Sequence, residues 1–287
     1  VVITDIDFPD DTIERHVLEP LGAEVLRYSC KTEEEVIAVA RNADILLVQW
    51  APITARVIAS LDHCRLICRY GIGVDMIDLP AAAARGIPVC NVPDYCLEEV
   101  ATHTTALLLA LARKIVPLVT SGQWNARAVA RPLTNLGGQT LGLLGLGRIG
   151  RMVATRAQAF GLHVITFDPY LAAEAATAID VEKVTFEDLL QRSDYLSLHA
   201  PLTHDTHHII NTAAFAAMKA SAHIINASRG ALIDTNALIE ALQAGKIAGA
   251  ALDVLEVEPP SRDHPLFSMS NVLITPHAAW YSEAALP

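Results

Sequence analysis

A glycine-rich turn near the middle of the chain constrains the fold more than any other feature of the sequence. The letters LGLLGLGRIG run from Leu141 to Gly150 and predict an apolar strand, a turn and the start of a helix, in that order. Gly145 permits the tight turn, Gly147 allows close approach of a ligand, and Gly150 lets the helix pack close to the strand. The helix N-terminus then offers N–H groups and the positive end of its dipole to phosphates.

An acidic residue closes the strand that follows the glycine turn. This strand is predicted over residues 163–167, and Asp168 comes 18 residues after Gly150, near the roughly 20 residues typical of a dinucleotide-binding unit. A carboxylate at this place accepts hydrogen bonds from ribose hydroxyls and repels a 2′-phosphate. Because residues 169–171 supply no arginine for such a phosphate, the sequence predicts NAD rather than NADP as the cofactor.

The composition indicates a globular protein with no nucleic-acid or membrane partner. The 287 residues are 52% hydrophobic and 18% charged, which suits two domains. The net charge of −11 disfavours binding to nucleic-acid phosphates. The longest apolar run, from Ala106 to Ala112, is too short to span a bilayer, and no signal peptide is visible. We therefore predict a cytoplasmic protein. The five cysteines show neither the paired spacing of a zinc site nor a disulfide framework, and no metal site is predicted.

Alternating β-rich and helical segments predict two doubly wound α/β units. Before the turn, strands are predicted over residues 1–5, 23–28, 45–48, 66–70 and 89–91, helices over 11–19, 32–42 and 98–116, with Pro117 ending the last helix, and a loop over 123–138. Later strands are predicted over residues 140–144, 163–167, 195–198, 223–226, 249–253 and 272–275. Such alternation is typical of parallel sheets with right-handed crossovers. The two units would join near residues 91–97.

Three polar side chains follow predicted strands in the second half of the chain. Arg229 lies three residues after the end of one strand, Glu258 follows the next strand, and His277 follows the last. The carboxyl ends of parallel strands form the ligand crevice of an open sheet, so we expect the three to meet there. Taken singly, each has an ordinary alternative: a surface arginine, a glutamate in a solvated loop before two prolines, and a structural histidine.

The trio suits the interconversion of a 2-hydroxy acid and a 2-keto acid. A nicotinamide carries the hydride, so the protein must move a proton to or from the C2 oxygen. His277 titrates near neutrality and can do this. Glu258 would favour the imidazolium and orient the ring, and Arg229 could hold the substrate carboxylate and polarise the carbonyl.

These residues carry a resemblance to the D-isomer-specific 2-hydroxyacid dehydrogenase family, over nearly the whole chain. The matching stretches are LGLLGLGRIG, SDYLSLHAPLT (193–203), MKASAHIINASRG (218–230), ALDVLEVEPP (251–260) and TPHAA (275–279). The resemblance implies that Arg229, Glu258 and His277 are the catalytic arginine, glutamate and histidine. A formate-type dehydrogenase inside the family is disfavoured, because that chemistry lacks the acidic partner that Glu258 provides.

The family's fold would consist of two doubly wound parallel-sheet domains of the α/β class. The resemblance implies a flavodoxin-like substrate domain over residues 1–97, completed by residues 279–287 and by a C-terminal helix beyond the sequence given. It implies an inserted Rossmann NAD-binding domain over residues 98–278. It also implies a homodimer through the nucleotide domain, built partly on the helix over residues 98–116.

The resemblance further assigns binding residues. Those expected at the cofactor are Thr104, Gly145, Gly147, Arg148, Ile149, Gly150, Asp168, His199, Ala200, Pro201, Thr206, Ala227, Ser228, Asp253 and Ala279. Those expected at the substrate are Arg69, Gly71, Ile72, Gly73 and Trp280. Within these sets, Asp253 would lie on the nicotinamide side, and the N–H groups of Ile72 and Gly73 would hold the substrate carboxylate.

Within the family, the chain is most similar to the C-terminal binding protein branch. The stretches concerned are CRYGIGVD (68–75), AFGLHVITFDPYL (159–171), HHIIN (207–211) and TPHAAWYSE (275–283). In that branch the tryptophan after the catalytic histidine, here Trp280, lies at the substrate pocket, which disfavours a small polar substrate such as phosphoglycerate. The branch includes NAD(H)-sensing corepressors, so an NAD-gated interaction scaffold is the alternative to an enzyme.

Overall fold

The computed structural model describes residues 1–285, which form two compact units. The first is Val1–Tyr95 and the second begins at Cys96. Each unit contains its own parallel sheet flanked by helices, and the predicted α/β class with two doubly wound domains is confirmed. We predict that residues 279–287 and a further helix complete the first domain. This stays a prediction, because residues 286 and 287 and the predicted helix lie outside the described residues.

The first unit has a five-stranded sheet in the order β2-β1-β3-β4-β5, paired in parallel throughout. This is the flavodoxin-like order. The strands are β1 (Val2–Ile3), β2 (Leu26–Arg27), β3 (Ile45–Val48), β4 (Leu66–Arg69) and β5 (Val89–Cys90). The helices are α1 (Thr12–Leu18), α2 (Glu33–Ala40), α3 (Ala55–Ser60) and α4 (Leu79–Ala84), with a 3-10 turn over Glu19–Leu21. Leu46, Val48 and Ile67 lie in its buried core.

The second unit has a seven-stranded parallel sheet in the order β12-β11-β10-β9-β6-β7-β8. The strands are β6 (Thr140–Leu144), β7 (His163–Phe167), β8 (Glu182–Lys183), β9 (Tyr195–Leu198), β10 (His223–Asn226), β11 (Gly249–Leu252) and β12 (Val272–Ile274). The helices are α5 (Leu97–Ala112), α6 (Ile115–Thr120), α7 (Ala126–Ala130), α8 (Arg148–Ala159), α9 (Ala173–Thr177), α10 (Phe186–Arg192), α11 (Thr212–Ala217) and α12 (Thr235–Gln243), with 3-10 turns over Gly230–Leu232 and Pro265–Ser268.

Helices cover both faces of this second sheet. Leu141 and Leu143 on β6 point into a cluster with α5 and α8, whereas Leu144 points into a cluster with α10, α11 and α12. Because both faces are buried, the strands are apolar throughout, as expected for a parallel sheet. The apolar strand predicted at 140–144 therefore has the observed bounds.

The strand order of the second sheet reverses between β6 and β9. In-register pairing aligns the last residues of the strands, which are Phe167, Leu144, Leu198, Asn226, Leu252 and, at the edge, Ile274. The next residue of each chain segment therefore emerges at one edge of the sheet. In doubly wound folds this edge, at the point of reversal, is where ligands bind.

Two sequence predictions about the start of this unit are wrong. The helix predicted over 98–116 ends at Ala112, because Lys114 has a left-handed backbone (φ 50°). Pro117 lies in the first turn of α6 instead of ending a helix, a place where its missing N–H costs no hydrogen bond. The segment predicted as a loop over 123–138 contains α7, whose first turn is capped by the Asn125 side chain.

Candidate active site

In the glycine turn after β6, two glycines are needed for close packing of the backbone, and the third leaves the space beside it open. Gly145 has φ of 94°, and a Cβ there would lie 3.0 Å from the His199 carbonyl oxygen. A Cβ at Gly150 would lie 2.6 Å from the Gly145 carbonyl oxygen. At Gly147 a Cβ would meet nothing within 4 Å. Gly145 and Gly150 thus serve the packing of strand on helix, whereas Gly147 keeps an open approach to the backbone.

The N-terminus of α8 is suited to a phosphate group. Its N-cap is Gly147, which provides no side-chain cap, whereas α2, α10 and α12 are capped by the side chains of Thr32, Thr185 and Asp234. Arg148 and Ile149 are the first two residues of α8. The N-terminus of a helix favours an anion through its first-turn N–H groups and the positive end of its dipole, so this turn fits a pyrophosphate.

Asp168 is held at the end of β7 by backbone donors. Its Oδ2 accepts a hydrogen bond from the Leu146 N–H (3.0 Å) and its Oδ1 accepts one from the Tyr170 N–H (3.0 Å). The first of these bonds ties the carboxylate to the glycine turn. Each carboxylate oxygen can accept a further hydrogen bond, and their binding of ribose hydroxyls stays a prediction.

Thr104 provides an independent sign of a ligand. It lies on α5 and is 1% exposed, and its Oγ1 has no hydrogen-bond partner among the described residues. A buried hydroxyl without a partner is costly. The resemblance assigns Thr104 to the cofactor, and a bound dinucleotide would satisfy this hydroxyl. The residues of this unit therefore fit NAD.

The loops after β9 and β10 are joined at the same sheet edge. The Ser228 hydroxyl donates to the Ala200 carbonyl oxygen (2.8 Å), beside Ala227 and Pro201. The Thr206 hydroxyl donates to the Pro201 carbonyl oxygen (2.7 Å) and so closes the turn that follows β9. These residues form a continuous rim, and their cofactor contacts stay predictions.

His199, the first residue after β9, is kept uncharged. Its Nε2 lies 2.9 Å from the Ser197 hydroxyl, and burial lowers the pKa of His199 to about 4. A neutral imidazole adds no positive charge to the edge of the sheet. If His199 lines the cofactor as the resemblance implies, it does so by packing and hydrogen bonding.

His277 and Glu258 form a direct pair. The His277 Nδ1 lies 2.7 Å from the Glu258 Oε2, and the Glu258 Oε1 accepts a hydrogen bond from the Leu255 N–H (2.8 Å). The carboxylate is thereby fixed toward the imidazole. His277 has a left-handed backbone with φ of 51°, a conformation that is uncommon for a non-glycine residue and is concentrated at functional sites.

Asp253 organises the loop that carries His277. It is 2% exposed, its Oδ1 accepts from the Thr275 hydroxyl (2.6 Å) and the Ala278 N–H (2.9 Å), and its Oδ2 accepts from the Ala279 N–H (2.9 Å). Its carbonyl oxygen accepts from the His277 N–H (2.8 Å). Burial alone would raise the pKa of Asp253, but these hydrogen bonds and one from a histidine on α5 lower that pKa below its ordinary value. An ionised carboxylate thus holds the loop in place.

That histidine, His103, is a residue that the sequence did not single out. Its Nε2 lies 3.0 Å from the Thr275 hydroxyl and 3.4 Å from the Asp253 Oδ1. Because the Thr275 hydroxyl donates to Asp253, it can only accept from His103, which requires a proton on Nε2. In the sequence, His103 is visible only as a histidine beside the buried apolar positions of α5. That pattern does not reveal that its side chain contacts Thr275 and Asp253.

Arg229 emerges from β10 on a loop fixed by a buried amide. Asn226 is fully buried; its Nδ2 donates to the Arg229 carbonyl oxygen (2.8 Å) and its Oδ1 accepts from the Ser228 N–H (3.0 Å). A Cβ at Gly230 would lie 2.0 Å from the Leu255 carbonyl group. The loop that bears Arg229 therefore packs on the loop that bears Glu258. The sequence did not single out Asn226 or Gly230 for these roles.

Trp280 is the last of the predicted site residues in the second unit. Its ring contacts the Tyr281 ring edge-on, with the centroids 5.7 Å apart. It follows Ala279, which is 3% exposed and bonded to Asp253. The position of Trp280 is thus tied to the loop that carries His277, while its role at a substrate stays a prediction.

The predicted substrate residues of the first unit begin at the end of β4. Arg69 is 4% exposed, and its guanidinium lies 5.3 Å from the centroid of the Trp50 ring. Gly71 has φ of 141°, and a Cβ there would lie 1.3 Å from the Arg69 Nη1. A side chain at position 71 would be strained by this backbone conformation, and the Arg69 guanidinium would also have to move.

The loop after Gly71 leaves two N–H groups available. The Gly71 and Ile72 carbonyl oxygens accept from the Val92 N–H (3.0 Å) and the Asn91 Nδ2 (2.7 Å). Among the residues the structure describes, none accepts a hydrogen bond from the N–H of Ile72 or Gly73. Two adjacent donors of this kind suit a carboxylate, and their binding of a substrate stays a prediction.

Comparison with known proteins identifies the family of this chain. Residues 105–279 match the NAD-binding domain of the D-isomer specific 2-hydroxyacid dehydrogenases. The chain is 42% identical over 290 residues to D-3-phosphoglycerate dehydrogenase of Methanocaldococcus jannaschii, covering 99% of this chain and 54% of that protein. It is 39% identical over 279 residues to hydroxypyruvate reductase of Thermotoga maritima, covering 91% of this chain and 90% of that protein.

A solved structure aligns with 99% of this chain. The crystal structure of D-lactate dehydrogenase from Aquifex aeolicus, complexed with NAD and lactic acid, aligns with a TM-score of 0.88 and 29% identity, covering 99% of this chain and 90% of that one. This chain spans about half the length of the phosphoglycerate dehydrogenases that it matches. With most of the second unit matching the family's NAD-binding domain and the glycine turn, Asp168 and the His277–Glu258 pair in place, the chain belongs to the D-isomer-specific 2-hydroxyacid dehydrogenase family.

Proposed function

We propose that this protein is an NAD-dependent oxidoreductase that interconverts a D-2-hydroxy acid and its 2-keto acid. The observation that carries the proposal is the 2.7 Å contact between the His277 Nδ1 and the Glu258 Oε2. This pair lies at the strand edge of a unit built to bind a dinucleotide. An imidazole oriented by a carboxylate is suited to exchange a proton near neutral pH.

The chain's own residues would perform the acid–base part of the reaction. Bound NAD supplies or accepts the hydride. With its Nδ1 on Glu258, His277 would use Nε2 to give a proton to the C2 oxygen in reduction and to take it in oxidation. The Glu258 carboxylate would stabilise the imidazolium formed in oxidation. The presence of Glu258 disfavours a formate-type reaction, which needs no such acidic partner.

Substrate binding would depend on Arg229 and on the loop after β4. A guanidinium can bind a carboxylate with two charge-assisted hydrogen bonds and polarise the neighbouring carbonyl. The N–H groups of Ile72 and Gly73 in the first unit are further candidate donors to a carboxylate. Trp280 favours a substrate with an apolar or aromatic side chain over phosphoglycerate.

Asp168 sets the preference between the two dinucleotides. Both of its carboxylate oxygens accept hydrogen bonds from backbone N–H groups, which hold the negative charge at the end of β7. A 2′-phosphate would be repelled, and we expect NADH to bind more tightly than NADPH in a fluorescence titration. Equal affinity for the two would contradict this role of Asp168.

A substrate panel tests the proposed activity. Purified protein is assayed with NADH and with glyoxylate, hydroxypyruvate, phosphohydroxypyruvate, pyruvate and bulkier 2-keto acids. Arg229→Ala should abolish turnover and leave NADH affinity nearly unchanged, while Arg262→Ala, at an exposed arginine, is the matched control. Retained activity in Arg229→Ala would remove that residue from its role.

The alternative is an NAD(H)-sensing scaffold of the C-terminal binding protein branch. The stretch TPHAAWYSE at residues 275–283 favours this branch. The same panel distinguishes the two. No turnover with any 2-keto acid, together with a change in oligomeric state on adding NADH, would favour the scaffold.

We also propose a homodimer formed through the second unit. The segment after α5 exposes large apolar side chains, with Ile115 47%, Val119 75% and Trp124 106% exposed. Such a patch is typical of a protein interface. Light scattering should give twice the chain mass, and Val119→Glu should lower it. Among residues 1–285 no helix is long and apolar enough to cross a membrane, and the cytoplasmic location stays a prediction.

A further inference from the structure

A second cluster of polar side chains lies outside the catalytic trio. The ligand atoms of His207, His208 and Glu256 all lie within 4.8 Å of one another. The two imidazole rings are stacked, with their centroids 3.9 Å apart and an interplanar angle of 28°. The His208 Nε2 lies 2.7 Å from the Glu256 Oε1. Two neighbouring histidines therefore point toward one carboxylate.

Surrounding groups hold two of these three side chains in place. The Thr235 hydroxyl donates to the Glu256 Oε2 (2.8 Å), which leaves Oε1 directed at His208. The His208 N–H donates to the Ala231 carbonyl oxygen (2.8 Å), and its backbone is left-handed with φ of 51°. Such supporting bonds fix the orientation of ligands in metal sites.

The charge of the cluster also suits a cation. The ligand atoms of a carboxylate and two imidazoles lie within reach of one another, and these three groups can share a single cation. The net charge of −11 for the whole chain further favours cations over anions near its surface.

We propose that His207, His208 and Glu256 form a binding site for a divalent transition-metal ion such as Zn²⁺. Two imidazoles and a carboxylate are a recurrent zinc set, with water as the fourth ligand. Imidazole ligands select Zn²⁺, Co²⁺ or Ni²⁺ over Mg²⁺ and Ca²⁺, which prefer oxygen.

The ligand atoms must shift to accept the ion. Metal–ligand bonds of about 2.0–2.1 Å place tetrahedral ligand atoms about 3.3 Å apart. The His208–Glu256 pair must open from 2.7 Å, and the more distant atoms must close from within 4.8 Å. The His207 side chain is exposed and can make that movement. The bound ion would join the loop after β9 to the loop after β11.

Metal titration of the purified protein tests the proposal. Zn²⁺ binding is followed by calorimetry, and Co²⁺ is used as a spectroscopic probe of the ligand type. We expect one ion per chain, a Co²⁺ spectrum of nitrogen and oxygen ligands, and no competition by Mg²⁺ or Ca²⁺. His207→Ala and Glu256→Gln should each weaken binding at least about tenfold, while His204→Ala, at a fully exposed neighbour, should bind as the parent protein does.

Three results would overturn the site. The first is a parent protein that binds no Zn²⁺ at micromolar concentration. The second is equal affinity in the parent protein and in His207→Ala, whose exposed position makes misfolding a poor explanation. The third is a Co²⁺ spectrum with thiolate charge-transfer bands, which would place the ion at a cysteine such as the exposed Cys90. None of these results bears on the proposed dehydrogenase activity.

Discussion

A pair of glycine substitutions separates the packing role of the turn after β6 from its binding role. Gly147→Ala places a Cβ where nothing lies within 4 Å, on a backbone with φ of −73° that alanine adopts readily. Losing a favourable N-cap costs at most about 1 kcal/mol, and the lower entropy of the unfolded chain offsets about 0.4–1 kcal/mol. The free energy of unfolding should therefore change by less than about 1 kcal/mol.

Gly150→Ala should instead destabilise the fold. Its Cβ would lie 2.6 Å from the Gly145 carbonyl oxygen, a backbone atom that cannot rotate away. Overpacking of this kind costs about 1–3 kcal/mol, against a gain of about 1 kcal/mol in helix propensity. The net loss is then up to about 2 kcal/mol, which corresponds to a fall in Tm of up to several degrees.

The two variants are compared by thermal melting without nucleotide and by fluorescence titration with NADH. Gly147→Ala should melt near the parent protein and bind NADH at least about tenfold more weakly, a loss of about 1.4 kcal/mol, because its Cβ takes space needed by the pyrophosphate. Gly150→Ala should melt lower. Parent-like NADH affinity in Gly147→Ala would refute the assignment of the turn to the pyrophosphate.

Two further predictions concern histidines. His103→Phe removes a hydrogen-bond donor to Thr275 and Asp253, so kcat should fall and its pH profile should change while the affinity for NADH stays the same. His103→Gln should keep more activity than His103→Phe. Equal turnover of His103→Phe and the parent protein would contradict this role of His103. Burial lowers the pKa of His199 and of His223 from 6.5 to about 4. Between these pH values the unfolded chain therefore binds more protons than the folded chain. The free energy of unfolding should fall as pH falls from about 6.5 to about 4, by at most about 3 kcal/mol for each histidine. Urea unfolding at pH 7 and pH 5 measures the loss, which His223→Gln should reduce, and a stability independent of pH would contradict it.

The strand edge of the second unit could be predicted from the sequence because each part of the signal is local. The apolar strand, the glycines and Asp168 lie within about 30 residues. Arg229, Glu258 and His277 each follow an apolar strand, and parallel register is enough to bring them to one edge. The strand predicted at 163–167 and the one at 223–226 have the observed bounds.

The missed features depend on contacts between distant segments. His103 meets Thr275 across 172 residues, and nothing local to α5 indicates that approach. The end of α5 depends on a lysine with a left-handed backbone, which is uncommon for a residue with a side chain. β8 has only two residues, Glu182 and Lys183, too few for a periodic pattern.

The resemblance and the geometry point to different roles for Asp253. The sequence placed it on the nicotinamide side of the cofactor, whereas its carboxylate bonds the Thr275 hydroxyl and the N–H groups of Ala278 and Ala279. The same carboxylate can hold the loop and face a ligand, since each oxygen accepts two hydrogen bonds. A local sequence pattern identifies such a residue and does not reveal how many partners it serves.

Single-turnover reduction of a 2-keto acid by NADH in His277→Asn tests the central claim most directly. The substitution keeps a polar side chain and removes the group that we propose exchanges the proton. We predict that NADH binds with parent-like affinity and that the hydride-transfer step slows by about 10²–10⁴-fold. A rate within about tenfold of the parent protein would contradict the claim that His277, oriented by Glu258, is the acid–base group.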